Sequence, residues 1–173
     1  SIVIDDREDF ANYERFPQSE FTIVSDYKNA FNSNKFEVNK NSMIVIATRG
    51  HNFDDIALES AINTNAGYIG LVGSERKAIM IFEQLLSRGI DIDKLKTINT
   101  PIGLDIKAAT PEEIAVSIIA ELIQYRLGGK GGSLKIKDQK IDSIYNKLQK
   151  KNKTPKITDG DQGVLHPIRG WSR

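Results

Sequence analysis

The chain has 173 residues, of which 39% are hydrophobic and 27% charged, the balance of a soluble globular protein of about one domain. It contains no cysteine, which excludes disulfides, thiolate metal sites, cysteine nucleophiles and a persulfide-carrying role, and its two histidines provide few nitrogen ligands for a transition metal. No stretch approaches the roughly 18 apolar residues of a membrane span and the sequence does not open with a charged signal region, so we expect a cytoplasmic protein with no membrane partner.

The net charge of +1 conceals opposite charges in the two parts of the chain. Residues 1–129 carry 13 Lys or Arg and 19 Asp or Glu, a net charge of −6, whereas residues 130–173 carry 11 and 4, a net charge of +7. A basic tail on an acidic body predicts docking of the tail on its own chain or on an acidic partner. A solvated lysine-rich helix explains the same pattern.

Four short apolar runs alternate with helical or loop segments, which is typical of an α/β protein. The predicted strands are residues 2–4, 21–24, 43–47 and 68–72. A helical stripe that starts near Asn52 lies between the third and fourth runs, and this crossover predicts parallel strands. The sequence therefore predicts a Rossmann-like, mostly parallel sheet with flanking helices.

Two further helices have clear start and stop signals. Ser74 is a predicted N-cap for the apolar pattern that follows the fourth strand, and Gly89 marks the end of that helix. The run Thr110-Pro111-Glu112-Glu113 predicts a capping box with Pro at the first helical position, and that helix should end at Leu127.

The glycine-rich segment 128–132 predicts a flexible linker between two regions. We expect a Rossmann-like domain over residues 1–127 and a basic helical appendage with an extended tail over residues 133–173. The apolar stripe of the basic helix follows the i, i+3, i+4, i+7 pattern. It consists of Ile141, Ile144, Tyr145 and Leu148.

Ligands of open parallel sheets bind beyond the carboxyl ends of the strands, so the loops there carry the candidate site. After the fourth strand, the helix start at Gly73 and Ser74 with Arg76 and Lys77 predicts an anion or phosphate site, although solvated charges explain it too. After the first strand, Asp5, Asp6 and Arg7 suit a ribose or a phosphate, or a plain acidic turn.

Two more loops carry polar residues. His51 and Asp54 follow Arg49 and Gly50, and their spacing favours either an oriented histidine or a hydrogen-bonded surface residue. No third ligand for a metal is evident beside them. In the loop 100–105, Pro101 and Gly103 predict a rigid turn that places Asp105 near the next helix.

Several enzyme classes lack their motifs in this chain. Neither residues 70–73 nor residues 128–132 have the spacing of a Walker phosphate loop, which argues against nucleoside triphosphate hydrolysis. The chain also has no Gly-x-Ser-x-Gly elbow, which together with the absence of cysteine argues against a nucleophilic hydrolase.

In order and spacing, these motifs resemble the XdhC/CoxI family of accessory proteins for xanthine dehydrogenase, carbon monoxide dehydrogenase and related molybdenum hydroxylases. The resemblance covers about residues 1–127, the Rossmann-like C-terminal domain of that family. The segments that carry it are Asp5-Asp6-Arg7, residues 15–17, Thr48-Arg49-Gly50-His51 with Asp54, residues 67–77, residues 101–106 and residues 110–118.

The resemblance implies a maturation chaperone, without catalytic residues of its own, that binds the molybdenum cofactor (molybdopterin or its nucleotide form). The implied chaperone assists sulfuration by a cysteine desulfurase and insertion into an apo molybdenum hydroxylase. It is not expected to bind nucleic acid, and whether it forms a homodimer stays open. The residues expected to bind the cofactor are Asp6, Arg7, Arg49, Gly50, His51, Asp54, Gly73, Ser74, Arg76, Lys77, Pro101, Gly103 and Asp105.

The chain departs from the family pattern in three places. The first strand and its glycine-rich turn should precede Ile2, so we expect a gap beside the strand 2–4 that upstream sequence or another chain fills. Lys107 stands where the family usually has a small residue, most often glycine, and residues 130–173 lie outside the resemblance.

Two other functions compete with this one. An NAD(P)-dependent oxidoreductase would use Asp5 and Asp6 at the ribose, although the glycine fingerprint and an evident hydride-transfer acid or base are missing. A polyanion-binding arm over residues 130–173 would bind in a strongly salt-dependent way.

Overall fold

The computed structural model describes residues 1–153, apart from the side chains at positions 51, 52, 152 and 153. By its internal contacts the chain divides into two compact units, Ser1–Gly131 and Gly132–Arg173. The strands of the first unit are β1 (Ile2–Asp5), β2 (Phe21–Val24), β3 (Met43–Ile46) and β4 (Tyr68–Leu71). Its helices are α1 (His51–Ile62), α2 (Glu75–Ser87), α3 (Ile92–Leu95) and α4 (Pro111–Leu127), and the second unit contains α5 (Asp138–Lys153).

All four strands pair in parallel, which confirms the predicted α/β class. β1 pairs with β2, with Ile2 opposite Phe21, and β3 pairs with β4, with Met43 opposite Tyr68. A parallel bridge between Gly70 and Asn99 extends the second ladder, because the Asn99 amide donates to the Ile69 carbonyl at 2.9 Å.

The described strands form two separate two-stranded ladders. Within residues 1–153, no strand bridges β1 and β3. The sequence-based expectation of an additional strand beside β1 stays a prediction.

The core of the first unit lies where α1 and α2 pack against β3 and β4. Leu58 of α1, Leu71 of β4 and Leu85 of α2 are fully buried. Every residue of β4 is buried, as expected for a parallel strand covered on both faces, whereas β1 is half-buried throughout. This packing fixes the carboxyl ends of β3 and β4 and the starts of the helices that follow them.

The predicted helix caps are confirmed. Ser74 caps α2, its hydroxyl accepting a hydrogen bond from the Lys77 amide at 3.3 Å. Thr110 and Glu113 form the expected capping box at the start of α4. That helix ends at Leu127, before Gly128 in the left-handed conformation with φ 70°.

The second unit presents the predicted apolar stripe of α5 to solvent. Ile141, Ile144, Tyr145 and Leu148 are 49–61% exposed. The tail expected to be extended, residues 154–173, lies outside the described residues. No helix of the described part of the chain is long and apolar enough to cross a membrane.

Candidate anion-binding site at the carboxyl ends of the strands

The loops that leave β1 and β3 meet through an ion pair. Arg49 Nη2 lies 2.7 Å from Asp6 Oδ2, which joins two residues 43 positions apart. The Arg49 guanidinium also stacks 4.7 Å from the centre of the Phe53 ring, and the Tyr27 hydroxyl donates to Asp6 Oδ1 at 3.3 Å. The structure therefore brings together Asp6 and Arg49, two predicted site residues, and each satisfies the charge of the other.

Asp5 and Arg7 form a second pair at the end of β1. The Arg7 amide and Nε donate to Asp5 Oδ1 at 3.0 and 2.9 Å, and Nη2 donates to Oδ2 at 3.1 Å. These hydrogen bonds hold the pKa of Asp5 below its usual value and raise the pKa of Arg7. Arg7 also stacks 3.6 Å from the centre of the Phe10 ring. Its charge is thus largely satisfied within the β1 loop.

Asp54 is the most deeply buried charged residue of the site. Its side chain is 0% exposed, accepts from the Thr48 hydroxyl at 2.7 Å through Oδ1, and forms an ion pair with Lys77 through Oδ2. Lys77 is 18% exposed on its side chain, and its ammonium also donates to the Val72 carbonyl at 3.4 Å. The pair links α1, α2 and the end of β4, so it holds the α2 start in place.

Gly73 makes room for this ion pair. A Cβ at Gly73 would lie 2.9 Å from Lys77 Cδ, closer than carbon atoms pack. A side chain here would push the lysine away from Asp54. Gly73, which the sequence places in a predicted anion-binding turn, therefore also leaves the space that the Lys77 side chain occupies.

Arg76 differs from Lys77, although the two are adjacent. Arg76 is exposed, and among the described residues it has no ion-pair partner. It lies in the first turn of α2, where the backbone N–H groups of positions 75 and 76 have no acceptor within the helix. Ser74 supplies the cap beside them. An uncommitted guanidinium beside a helix N-terminus can bind an oxyanion such as a phosphate.

The loop with Pro101, Gly103 and Asp105 is tied to α4. Glu121 Oε2 accepts from the Gly103 amide at 2.6 Å, and Glu121 Oε1 accepts from the buried Tyr68 hydroxyl at 2.5 Å. Burial, with a further contribution from Glu121, raises the pKa of Tyr68. Gly103 adopts φ 111°, and a Cβ there would contact the Ser117 hydroxyl, so glycine is required in this turn.

Asp105 has no described contact with the other predicted site residues. Its carboxylate pairs with Lys107 at 3.3 Å, and both side chains are more than three-quarters exposed. No described contact joins Pro101, Gly103 or Asp105 to the charged residues after β1, β3 and β4. Lys107 adopts φ 59°, a left-handed conformation that favours glycine.

Gly50 and His51 open α1. Gly50 is the N-cap residue in an extended conformation, φ 166°, and a Cβ would meet nothing within 4 Å. His51 is the first helical residue, and its side chain lies outside the described part of the structure. Asp54, which the sequence pairs with His51, directs its carboxylate to Thr48 and Lys77.

Sequence reasoning misses the roles of Thr48, Tyr68 and Glu121. The sequence indicates Thr48 only as part of a motif, and Tyr68 only as a strand residue. The one available signal is Glu121 itself, a carboxylate among the mostly apolar residues 114–123 of α4. A charge in such a position needs a partner, although the sequence does not identify which one.

Comparison with known proteins places this chain in a family. The model of the XdhC Rossmann domain matches residues 1–122. The chain is 31% identical over 125 residues to a probable xanthine dehydrogenase subunit of Bacillus subtilis (strain 168), an alignment that covers 72% of this chain and 35% of that protein. It is 32% identical over 96 residues to the uncharacterized protein YqeB of Escherichia coli (strain K12), covering 56% of this chain and 17% of that protein.

A solved structure shows the same fold. The crystal structure of a xanthine dehydrogenase from Bacillus halodurans superimposes with a TM-score of 0.60 at 28% sequence identity, covering 77% of this chain and 37% of that one. The chain thus spans only about a third or less of the length of these relatives. With a family model that covers most of its length, the chain belongs to the XdhC family and carries the family's Rossmann domain over residues 1–122.

Proposed function

We propose that this chain acts in an accessory factor that binds the molybdenum cofactor and assists its sulfuration and insertion into a molybdenum hydroxylase. The hydroxylase would be of the xanthine dehydrogenase or carbon monoxide dehydrogenase type. Membership of the XdhC family and the xanthine dehydrogenase names of two relatives support this role. The factor would act with a cysteine desulfurase, because the chain has no cysteine with which to carry sulfur itself.

The observation that carries the proposal is the uncommitted cation at the start of α2. Molybdopterin ends in a phosphate, and Arg76 with the first-turn N–H groups would hold that group. Lys77 would not bind the phosphate directly, because its ammonium is committed to Asp54. Its part would be to fix the helix start and so the position of Arg76.

The pair formed by Asp6 and Arg49 would shape the other side of the site. Its two charges compensate each other, so this side favours the neutral, hydrogen-bonding pterin over a second phosphate. The bound group would supply the redox-active metal of the hydroxylase. The residues of this chain would bind it, orient it and exclude water.

Substitution of Arg76 tests the proposal. We expect Arg76→Glu to weaken binding of the molybdenum cofactor at least tenfold, measured anaerobically by fluorescence titration, with little change in the unfolding free energy. Lys96→Glu is the control, because Lys96 is a 66% exposed cation at the end of α3 whose ion-pair partner, Asp93, is itself exposed. If Arg76→Glu and Lys96→Glu bind the cofactor equally well, the start of α2 is not part of the site.

A second titration separates this proposal from an NAD(P)-dependent oxidoreductase, which the carboxylates at the end of β1 favour. Saturable NADPH binding together with reduction of a substrate would support the oxidoreductase and contradict the chaperone proposal.

A further experiment tests the insertion role. We expect the chain, with any upstream region of its protein, to raise the activity of an apo-hydroxylase supplied with cofactor. No gain over free cofactor would contradict that role.

A further inference from the structure

The second unit presents the apolar stripe of α5 to solvent along the whole helix. The four side chains of the stripe follow one another at intervals of three and four residues, which places them on one side of the helix. No residue over 130–151 is buried or half-buried. The stripe, which is 49–61% exposed, consists of Ile141, Ile144, Tyr145 and Leu148.

Lysines border this stripe and dominate the charge around it. Lys140, Lys147 and Lys151 lie four, three and seven residues from Ile144, so they follow the edge of the stripe. Residues 130–153 contain eight Lys and two Asp, a net charge of +6. Both acids lie within the first five residues of α5, so the rest of the helix carries only positive charge. The unit therefore attracts an anionic surface.

The segment that leads into α5 has the same combination of apolar and basic side chains. Leu134 is fully exposed and Ile136 is 58% exposed, and they alternate with Lys135 and Lys137. A lysine can lay its hydrocarbon stem along an apolar layer while its ammonium stays in water. This segment therefore extends the apolar and basic surface of the helix.

The composition of this surface indicates which kind of anionic partner it fits. A nucleic acid is bound mainly through its phosphates, which need no apolar stripe. Interfaces between proteins are poor in Lys and use Arg and Trp as anchors, and residues 130–153 contain neither Arg nor Trp. A helix with one apolar side and a lysine-rich polar side is suited to lie in the surface of a membrane with anionic lipids.

We propose that α5, with the segment before it, binds the surface of a membrane that contains anionic lipids. The stripe enters the boundary between the headgroups and the acyl chains, and the lysines stay at the level of the headgroups. The sequence-based expectation of no membrane partner rests on the lack of a spanning segment, and a helix that lies on the surface needs none. This binding goes beyond the proposed cofactor function and rests on residues outside the family domain, which ends at residue 122.

Vesicle sedimentation with the full chain tests the proposal. We expect at least tenfold tighter binding to phosphatidylcholine vesicles with about 30% phosphatidylserine than to vesicles of phosphatidylcholine alone. Raising the salt concentration from about 50 to about 300 mM should weaken this binding at least fivefold, because salt screens the lysines. A chain that stays in the supernatant at about 1 mM anionic lipid would overturn the proposal and leave the stripe to a protein partner.

A substitution in the stripe separates a lipid surface from a nucleic acid. We expect Ile144→Gln to weaken binding to the anionic vesicles at least fivefold, because one apolar side chain of the stripe is lost. Gln has a high helix propensity, so the substitution keeps α5 helical. Ile79→Gln on α2 is the matched control, since Ile79 and Ile144 are both 52% exposed. Equal binding by the two variants would contradict the proposal and assign the attraction to charge alone, as for a nucleic acid.

Exchange of lysines shows whether the charge of α5 itself is needed. The double variant Lys147→Glu, Lys151→Glu should bind the anionic vesicles at least tenfold more weakly than the parent chain. The double variant Lys96→Glu, Lys107→Glu changes the net charge equally at lysines of the first unit that are 66% and 88% exposed, and it should bind nearly as well as the parent. An equal loss in both double variants would mean that net charge alone drives the binding, and α5 would not be the membrane-binding element.

Discussion

The adjacent cations Arg76 and Lys77 show how one position along a helix changes the role of a side chain. Lys77 is half-buried and pairs with the buried Asp54, whereas Arg76 is exposed and has no ion-pair partner among the described residues. The sequence alone favours an anion site or solvated charges for both residues and does not distinguish between them. In the structure they differ, because loss of the Lys77 ammonium would leave the buried Asp54 carboxylate without its ion-pair partner.

Removing the Lys77 ammonium should destabilise the first unit. We expect Lys77→Met to lower the unfolding free energy by about 3 kcal/mol, because Asp54 stays buried with only Thr48 as a partner. Urea unfolding followed by circular dichroism measures the change. Arg76→Met is the matched control and should change stability by less than about 0.5 kcal/mol. If Lys77→Met also lowered the unfolding free energy by less than about 0.5 kcal/mol, the ion pair would contribute nothing measurable to stability.

Asp5 should contribute a pH-dependent part of the stability. Hydrogen bonds from Arg7 lower the pKa of Asp5 in the folded state, so its contribution is complete above the unfolded-state pKa. The contribution is lost as pH falls through the lower, folded-state pKa. We expect Asp5→Asn to be less stable than the parent chain near pH 6 and to lose less stability between about pH 5 and pH 2. Parallel stability curves for the two proteins, from urea unfolding at each pH, would contradict this account.

At the scale of elements, the sequence predicts strands and helix ends well, but it does not predict contacts between residues far apart in the chain. The strands and the ends of α4 are predictable because apolar runs, the Thr110 cap and Gly128 act on their own neighbours. The bond from Glu121 to Tyr68 spans 53 residues, and the bond to the Gly103 amide spans 18. No short-range pattern encodes such pairs, so the attachment of α4 is visible only in the structure.

The Glu121 carboxylate should be the main polar attachment of α4. We expect Glu121→Leu to lower the unfolding free energy by about 2 kcal/mol, because the buried Tyr68 hydroxyl and the Gly103 amide both lose their acceptor. Thermal and urea unfolding measure the loss. Glu83→Leu, at an exposed position of α2, is the control and should be nearly neutral. If both substitutions changed the unfolding free energy equally, Glu121 would not be the main polar attachment of α4.

At the scale of the whole molecule, the two parallel ladders are held in different ways. β4 is buried along its length and pairs with β3 on one side and with Asn99 on the other. β1 is half-buried and, within the described residues, pairs with β2 alone. The sequence predicts the parallel class because crossover connections are visible in it. The division into two ladders depends on which strands meet, which the apolar runs do not specify.

This difference should appear as a gradient of local stability. Under native conditions we expect the backbone amides of β4 to exchange hydrogen at least tenfold more slowly than those of β1, because opening β4 breaks two sets of strand bonds and exposes the core around Leu71. Hydrogen exchange followed by mass spectrometry resolves the two segments. β2, paired on one side like β1, serves as the internal reference and should exchange at a rate close to that of β1. Equal protection of β1 and β4 would mean that β1 is held by additional contacts, as a strand filling the space beside it would provide.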